Sequence, residues 1–165
     1  ILCVSALGFA SAIYYIVGYL IMNLACFFVI YHVSRTGENV TMNDLKGLYK
    51  NSPLLALTLV LGAFGMAGIP PTVGFMGKFF IFTSAIEKSL YALVIITVIN
   101  AGISAYYYLR MVRAAFLTSE EEVSVIPLNA AARLLGVLFI AAIIGIGIFP
   151  EAFMNLAKMA AGTIL

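Results

Sequence analysis

Charge in this chain falls into bands that alternate with long apolar runs. Residues 1–34 carry no formal charge with His32 neutral, residues 52–86 carry only Lys78, and residues 89–109 carry none. Between them, residues 35–51 hold Arg35, Glu38, Asp44, Lys46 and Lys50, and residues 110–133 hold Arg110, Arg113, Glu120, Glu121, Glu122 and Arg133. A bilayer core of about 30 Å is crossed by about 20 helical residues, so each apolar run is a candidate span. The first run, about 51 Å long as one helix, is too long for one crossing. A division near Gly8 to Ser11 makes residues 1–9 the partial end of one span and residues 12–33 a complete one. The run 52–86 overshoots similarly, and Pro70 and Pro71 remove two backbone donors beside the unrestrained Gly68. That predicts spans over 53–69 and 72–86 with a break at 68–71. Further spans are expected over 89–109 and over 134–149, the latter closed by Pro150. The pattern predicts an all-α polytopic membrane protein, a bundle of about five complete transmembrane helices plus a truncated one, with a proline-broken pair.

Composition sharpens this picture. With 64% hydrophobic and 10% charged residues, the balance is far from that of a soluble domain. A net charge of +2 without a basic run excludes an electrostatic footprint for nucleic acid. Cys3 and Cys26 lie in apolar runs without metal-type spacing, which favours packing. The apolar stretch begins at Ile1 with no charged leader, so a piece of a longer protein is expected. Counted by alternating spans, Arg35, Lys46, Lys50, Lys88 and Lys158 share one face and Arg110, Arg113 and Arg133 the other. That five-to-three split does not orient the chain by the positive-inside rule.

Polar groups inside the spans are the candidates for chemistry. Tyr15, Tyr19 and Asn23 recur every four residues, and Thr97, Asn100, Ser104 and Tyr108 every three or four, so each set shares a helix face. Such faces serve interhelical hydrogen bonding, the plainer reading, or line a wet interior. Gly62, Gly65 and Gly68 form a small-residue ridge for close packing, and His32 lies near a helix end where the interface can solvate it. Lys78 stands apart. A cation at membrane depth is costly unless it reaches water, and broken helices are where the ion sites of transporters lie. Snorkelling of its stem to the headgroups is the competing account.

The residues Gly68-Ile69-Pro70-Pro71-Thr72-Val73-Gly74-Phe75-Met76-Gly77-Lys78-Phe79-Phe80 carry a family resemblance. With Asp44-Leu45-Lys46-Gly47-Leu48 and Pro53 before them and Ile103-Ser104-Ala105-Tyr106-Tyr107-Tyr108-Leu109-Arg110 after, they resemble the antiporter-like subunits of proton-pumping NADH:quinone oxidoreductase, respiratory complex I. Lys78 and the tyrosine-rich run point to the subunit N branch. On this resemblance residues 1–165 are the C-terminal part of one antiporter-like transmembrane domain. It implies inverted repeats with a broken helix in each, and Lys78 as the proton relay near the outer side. Thr97, Asn100, Ser104 and Tyr108 are then expected to line a water path, with residues 110–133 cytoplasmic. No GxGxxG, P-loop or iron–sulfur cysteine set occurs in the sequence, so no cofactor is expected in this chain. NADH, FMN, iron–sulfur clusters and quinone are expected in partner subunits. The implied partners are other membrane subunits of complex I, the lipid bilayer and protons, with no nucleic acid, in the bacterial inner (cell) membrane. A subunit of a multisubunit cation/proton antiporter or membrane-bound hydrogenase, and a passive membrane scaffold, are the alternatives.

Overall fold

The computed structural model describes residues 5–34, 39–117 and 125–163, which form helices and connections without strands. The helices are α1 (Ala6–Val33), α2 (Leu48–Asn51), α3 (Pro53–Ala67), α4 (Val73–Glu87), α5 (Tyr91–Phe116), α6 (Ala130–Ile148) and α7 (Pro150–Gly162). Among the described residues α1, α5 and α6 are long and apolar enough to cross a membrane. At 15 residues each, α3 and α4 are about 22 Å long.

α1 is the hub, packing against α3, α4, α6 and α7. It is unbroken from Ala6 to Val33, which overturns the expected division near Gly8 to Ser11: residues 5–9 are its first turn, and residues 1–4 lie outside the described ones. Glycine and serine weaken a helix without deleting a donor. Here Ser5 Oγ accepts from the Gly8 N–H at 3.0 Å, and the buried Ser11 hydroxyl donates to Leu7 O at 2.7 Å. The core around α1 holds Tyr14, Met22, Val29, Leu55, Leu59 and Ile143.

Small residues set the descent of α3 and α4 along this hub. Gly62 meets Met22 and Cys26, Gly65 meets Met22, Val73 meets Gly18, and Gly77 meets Tyr14 and Tyr15. As numbers rise on α3 and then α4, they fall on α1. The two short helices therefore follow one another down the same neighbour as halves of a single interrupted path. Gly62 and Gly65 do the close packing expected of the glycine ridge; Gly68 does something else, described below.

This path changes which charges share an end. Gly47 N–H donates to Leu117 O at 2.9 Å, Ile126 N–H donates to Asn51 O at 3.2 Å, and the Tyr49 and Phe116 rings stack at 5.6 Å. The segment with Lys46 and Lys50 thus sits at the same end as the close of α5, with Arg110 and Arg113, and the start of α6, with Arg133. Lys88, after α4, and Lys158, on α7 after α6, belong to the other end. The five-to-three grouping is corrected to Lys46, Lys50, Arg110, Arg113 and Arg133 against Lys88 and Lys158, and Arg35 lies outside the described residues, as do Cys3, Glu38 and Glu120 to Glu122. The earlier grouping failed because it gave α3 and α4 a crossing each.

Other boundaries moved for local reasons. α5 runs past residue 109 to Phe116 and carries Arg110 and Arg113 on its last turns, where cations suit the helix dipole. α6 begins before residue 134, at Ala130, because the Asn129 side chain accepts from the Ala132 N–H at 2.8 Å. α7 was not expected. Pro150 opens it, and Met154, Ala157 and Ala161 form the buried stripe. In the connection before α2, the Asp44 carboxylate accepts from the Thr41 N–H at 2.6 Å and the Thr41 hydroxyl at 2.7 Å, which holds its pKa below the ordinary carboxylate value.

Candidate functional site

The last four carbonyls of an α-helix have no intrahelical donor, and in α3 these belong to Phe64, Gly65, Met66 and Ala67. Gly68, at φ 86° and ψ 41°, turns the chain so that its N–H is shared by Phe64 O at 2.9 Å and Gly65 O at 3.0 Å. Ile69 N–H adds a second bond to Phe64 O at 2.9 Å, a left-handed glycine cap. Met66 and Ala67 would be served by the residues four positions on. Those are Pro70 and Pro71, which have no N–H. Lys78 takes their place: its Nζ donates to Met66 O at 2.8 Å and to Ala67 O at 3.1 Å. The cation also sits at the negative end of the α3 dipole. One proline pair and one lysine, eight or seven residues apart, are thus two parts of a single hydrogen-bond arrangement.

Half-buried Lys78 also lines a cavity of about 360 Å³ between α1, α4 and α5. Tyr15 and Tyr19 of α1, Met66 of α3, Ile81 and Phe82 of α4, and Thr97, Asn100, Ala101, Ser104 and Tyr108 of α5 complete its wall. All four α5 residues singled out by helical spacing come together with Lys78 in this space. Thr97 donates its hydroxyl proton to Leu93 O at 2.7 Å and Ser104 to Ala101 O at 2.9 Å, both on their own helix. Those two hydroxyls make no interhelical bond with their protons, and their oxygens remain as acceptors. Since a water occupies about 30 Å³ in the liquid, the space has room for a short chain of waters.

The spacing of Tyr15 and Tyr19 marked a polar face without assigning it to the site; the two rings stack at 6.0 Å on the cavity wall. Asn23, third in that series, donates to Tyr19 O at 2.8 Å. His32 Nδ1 lies 2.8 Å from Phe28 O, packed against the Phe28 ring, and is no part of the wall. Among the described residues no three His, Cys, Asp or Glu side chains gather as a metal site. Hydroxyl, phenol, carboxamide and ammonium are the polar groups of the cavity.

Residues 1–104 match the model of the NADH:quinone oxidoreductase/Mrp antiporter transmembrane family. The chain belongs to that family. Within it, NADH-quinone oxidoreductase subunit N 2 of Opitutus terrae is 49% identical over 95% of this chain and 33% of its own length. The subunit N 2 of Solidesulfovibrio magneticus is 39% identical over 97% of this chain and 34% of its own. The chain thus spans about a third of the length of these curated relatives. Among solved structures, respiratory complex I from Thermus thermophilus with bound aureothin superposes with a TM-score of 0.79 at 26% identity, over 89% of this chain and 34% of the matched one. A chain of the Mrp complex from Dietzia sp. superposes at 0.81 over 96% of this chain and 38% of its own, and at 20% identity that likeness is one of fold. Family membership makes this an integral membrane protein of the antiporter-like kind.

Proposed function

We propose that the chain is the C-terminal part of a proton-translocating subunit N of NADH:quinone oxidoreductase, and that Lys78 is its proton relay. The observation that carries this reading is a titratable ammonium held on the carbonyls of an interrupted helix while lining a cavity with acceptor groups. In the charged form Lys78 Nζ rests on Met66 O and Ala67 O. It gives its proton to a water in the cavity, and the neutral amine takes one back. Thr97, Asn100, Ser104 and Tyr108 hold the waters along which that proton moves. Lysine can make this exchange where arginine stays charged. The subunit has no redox centre of its own: NADH, FMN, iron–sulfur clusters and quinone belong to partner subunits of complex I. It works in the bacterial inner membrane beside the other membrane subunits. Sequence supports the subunit N reading, with 49% and 39% identity to the two subunit N relatives over 95% and 97% of this chain.

The test is proton pumping per NADH oxidised in membranes containing the assembled complex. Lys78→Ala should lower it by roughly tenfold or more, given that a positioned proton-transfer group commonly contributes at least about 100-fold. Lys78→Arg should assemble and also fail to pump. Wild-type pumping in both variants would overturn the relay; normal pumping in Lys78→Arg alone would leave a fixed structural cation.

A further inference from the structure

We propose that Gly68 is the positioning residue for Lys78, and that the break in the helix path is built around seating this ammonium; the inference rests on the relay reading above. Two separate demands meet at this residue. The first is conformational, because the cap of α3 needs a residue at φ 86°. The second is spatial. A Cβ placed on Gly68 would lie 3.1 Å from Lys78 Cδ, 3.2 Å from Nζ and 3.5 Å from Cε. The lysine stem therefore crosses the bare face of Gly68 to reach Met66 O and Ala67 O. Asparagine would satisfy the first demand, since it also caps helices in the left-handed conformation, but not the second. Pro70 and Pro71 leave the two carbonyls unclaimed, and Gly68 leaves the approach open.

Two variants separate seating from capping. Gly68→Ala strains the turn and obstructs the lysine; Gly68→Asn keeps the turn and obstructs the lysine all the same. Gly47→Ala is the control, because Gly47 also has a positive φ, 72°, but lies in the connection before α2. In the assembled complex both Gly68 variants should lose a few-fold in protons pumped per NADH oxidised, because the added Cβ makes the lysine stem give by a few tenths of an ångström and a full ångström of misplacement can cost about 100-fold. Their pumping should also change its pH dependence, which weakened capping alone would not do. Gly47→Ala should pump with the wild-type ratio and pH profile. Wild-type pumping and pH profile in Gly68→Asn would overturn the inference, as would the same defect in Gly47→Ala. If Lys78→Ala itself pumps normally, the relay reading falls first; if it does not pump but Gly68→Asn does, the relay stands and the seating role alone is wrong.

Discussion

Tyr14 repeats, on a different helix, the arrangement found at Lys78. The carbonyl of Ile146 would be served four residues on by Pro150, which has no N–H, and the Tyr14 hydroxyl donates to it instead at 2.8 Å. The ring meanwhile packs edge-on against Phe80 at 5.2 Å and Phe153 at 5.4 Å. Tyr14→Phe keeps those contacts and orphans the carbonyl, so it should destabilise by about 1–3 kcal/mol. The check is a lower dissociation temperature of the purified complex with unchanged pumping per NADH; an unshifted temperature would mean the carbonyl finds another donor. At this scale the sequence shows what is missing but not what replaces it. Pro70, Pro71 and Pro150 announce three lost donors from their positions alone. That Lys78 and Tyr14 fill them depends on how helices lie against one another, which no local pattern encodes.

Among the elements, the α3–α4 pair is held to its neighbours by backbone-to-backbone proximity. A Cβ on Gly74 would collide with the carbonyl oxygen of Gly65 across the break, and a backbone atom cannot swing aside as a side chain can. Gly74→Ala is therefore expected to destabilise by about 1–3 kcal/mol of overpacking. Gly145, on α6, has nothing within 4 Å of its own would-be Cβ. Gly145→Ala should stay within about 1 kcal/mol of wild type, and helix propensity favours the alanine. The amount of assembled complex in the membrane distinguishes the two; equal levels would show that α3 and α4 can separate cheaply. The apolar runs and proline positions made the helices legible, including the interruption between Ala67 and Val73. Gly8 and Ser11 misled because composition suggests a break where local hydrogen bonds permit a continuous helix. α7 escaped notice because its apolar residues recur at helical spacing on a segment too polar to read as a span.

The molecule as a whole has a charge asymmetry that appears only once α3 and α4 are laid end to end along α1. Among the described residues Lys46, Lys50, Arg110, Arg113 and Arg133 gather at one end, against Lys88 and Lys158 at the other, and by the positive-inside rule the richer end is expected on the cytoplasmic side. The resemblance to complex I subunits leads to the same expectation for the end where α5 closes. Lys46→Cys should accordingly react with a membrane-impermeant maleimide from the cytoplasmic face, and Lys88→Cys only from the opposite one. Reaction of both from one face would show that α3 and α4 each cross. Topology was the least legible level, because counting spans needs to know whether a break returns the chain or continues it. The two proline-vacated helix ends also differ in how far along the chain their replacement donors lie. Lys78 comes 12 and 11 residues after the carbonyls it serves, whereas Tyr14 and Ile146 are 132 apart. In hydrocarbon an unmet carbonyl costs several kcal/mol, so neither end is comfortable while it waits. A chain emerging from the ribosome can close the first as soon as α4 enters the bilayer, whereas the second, which arises only when the end of α6 is made, stays open until α6 has docked back on α1.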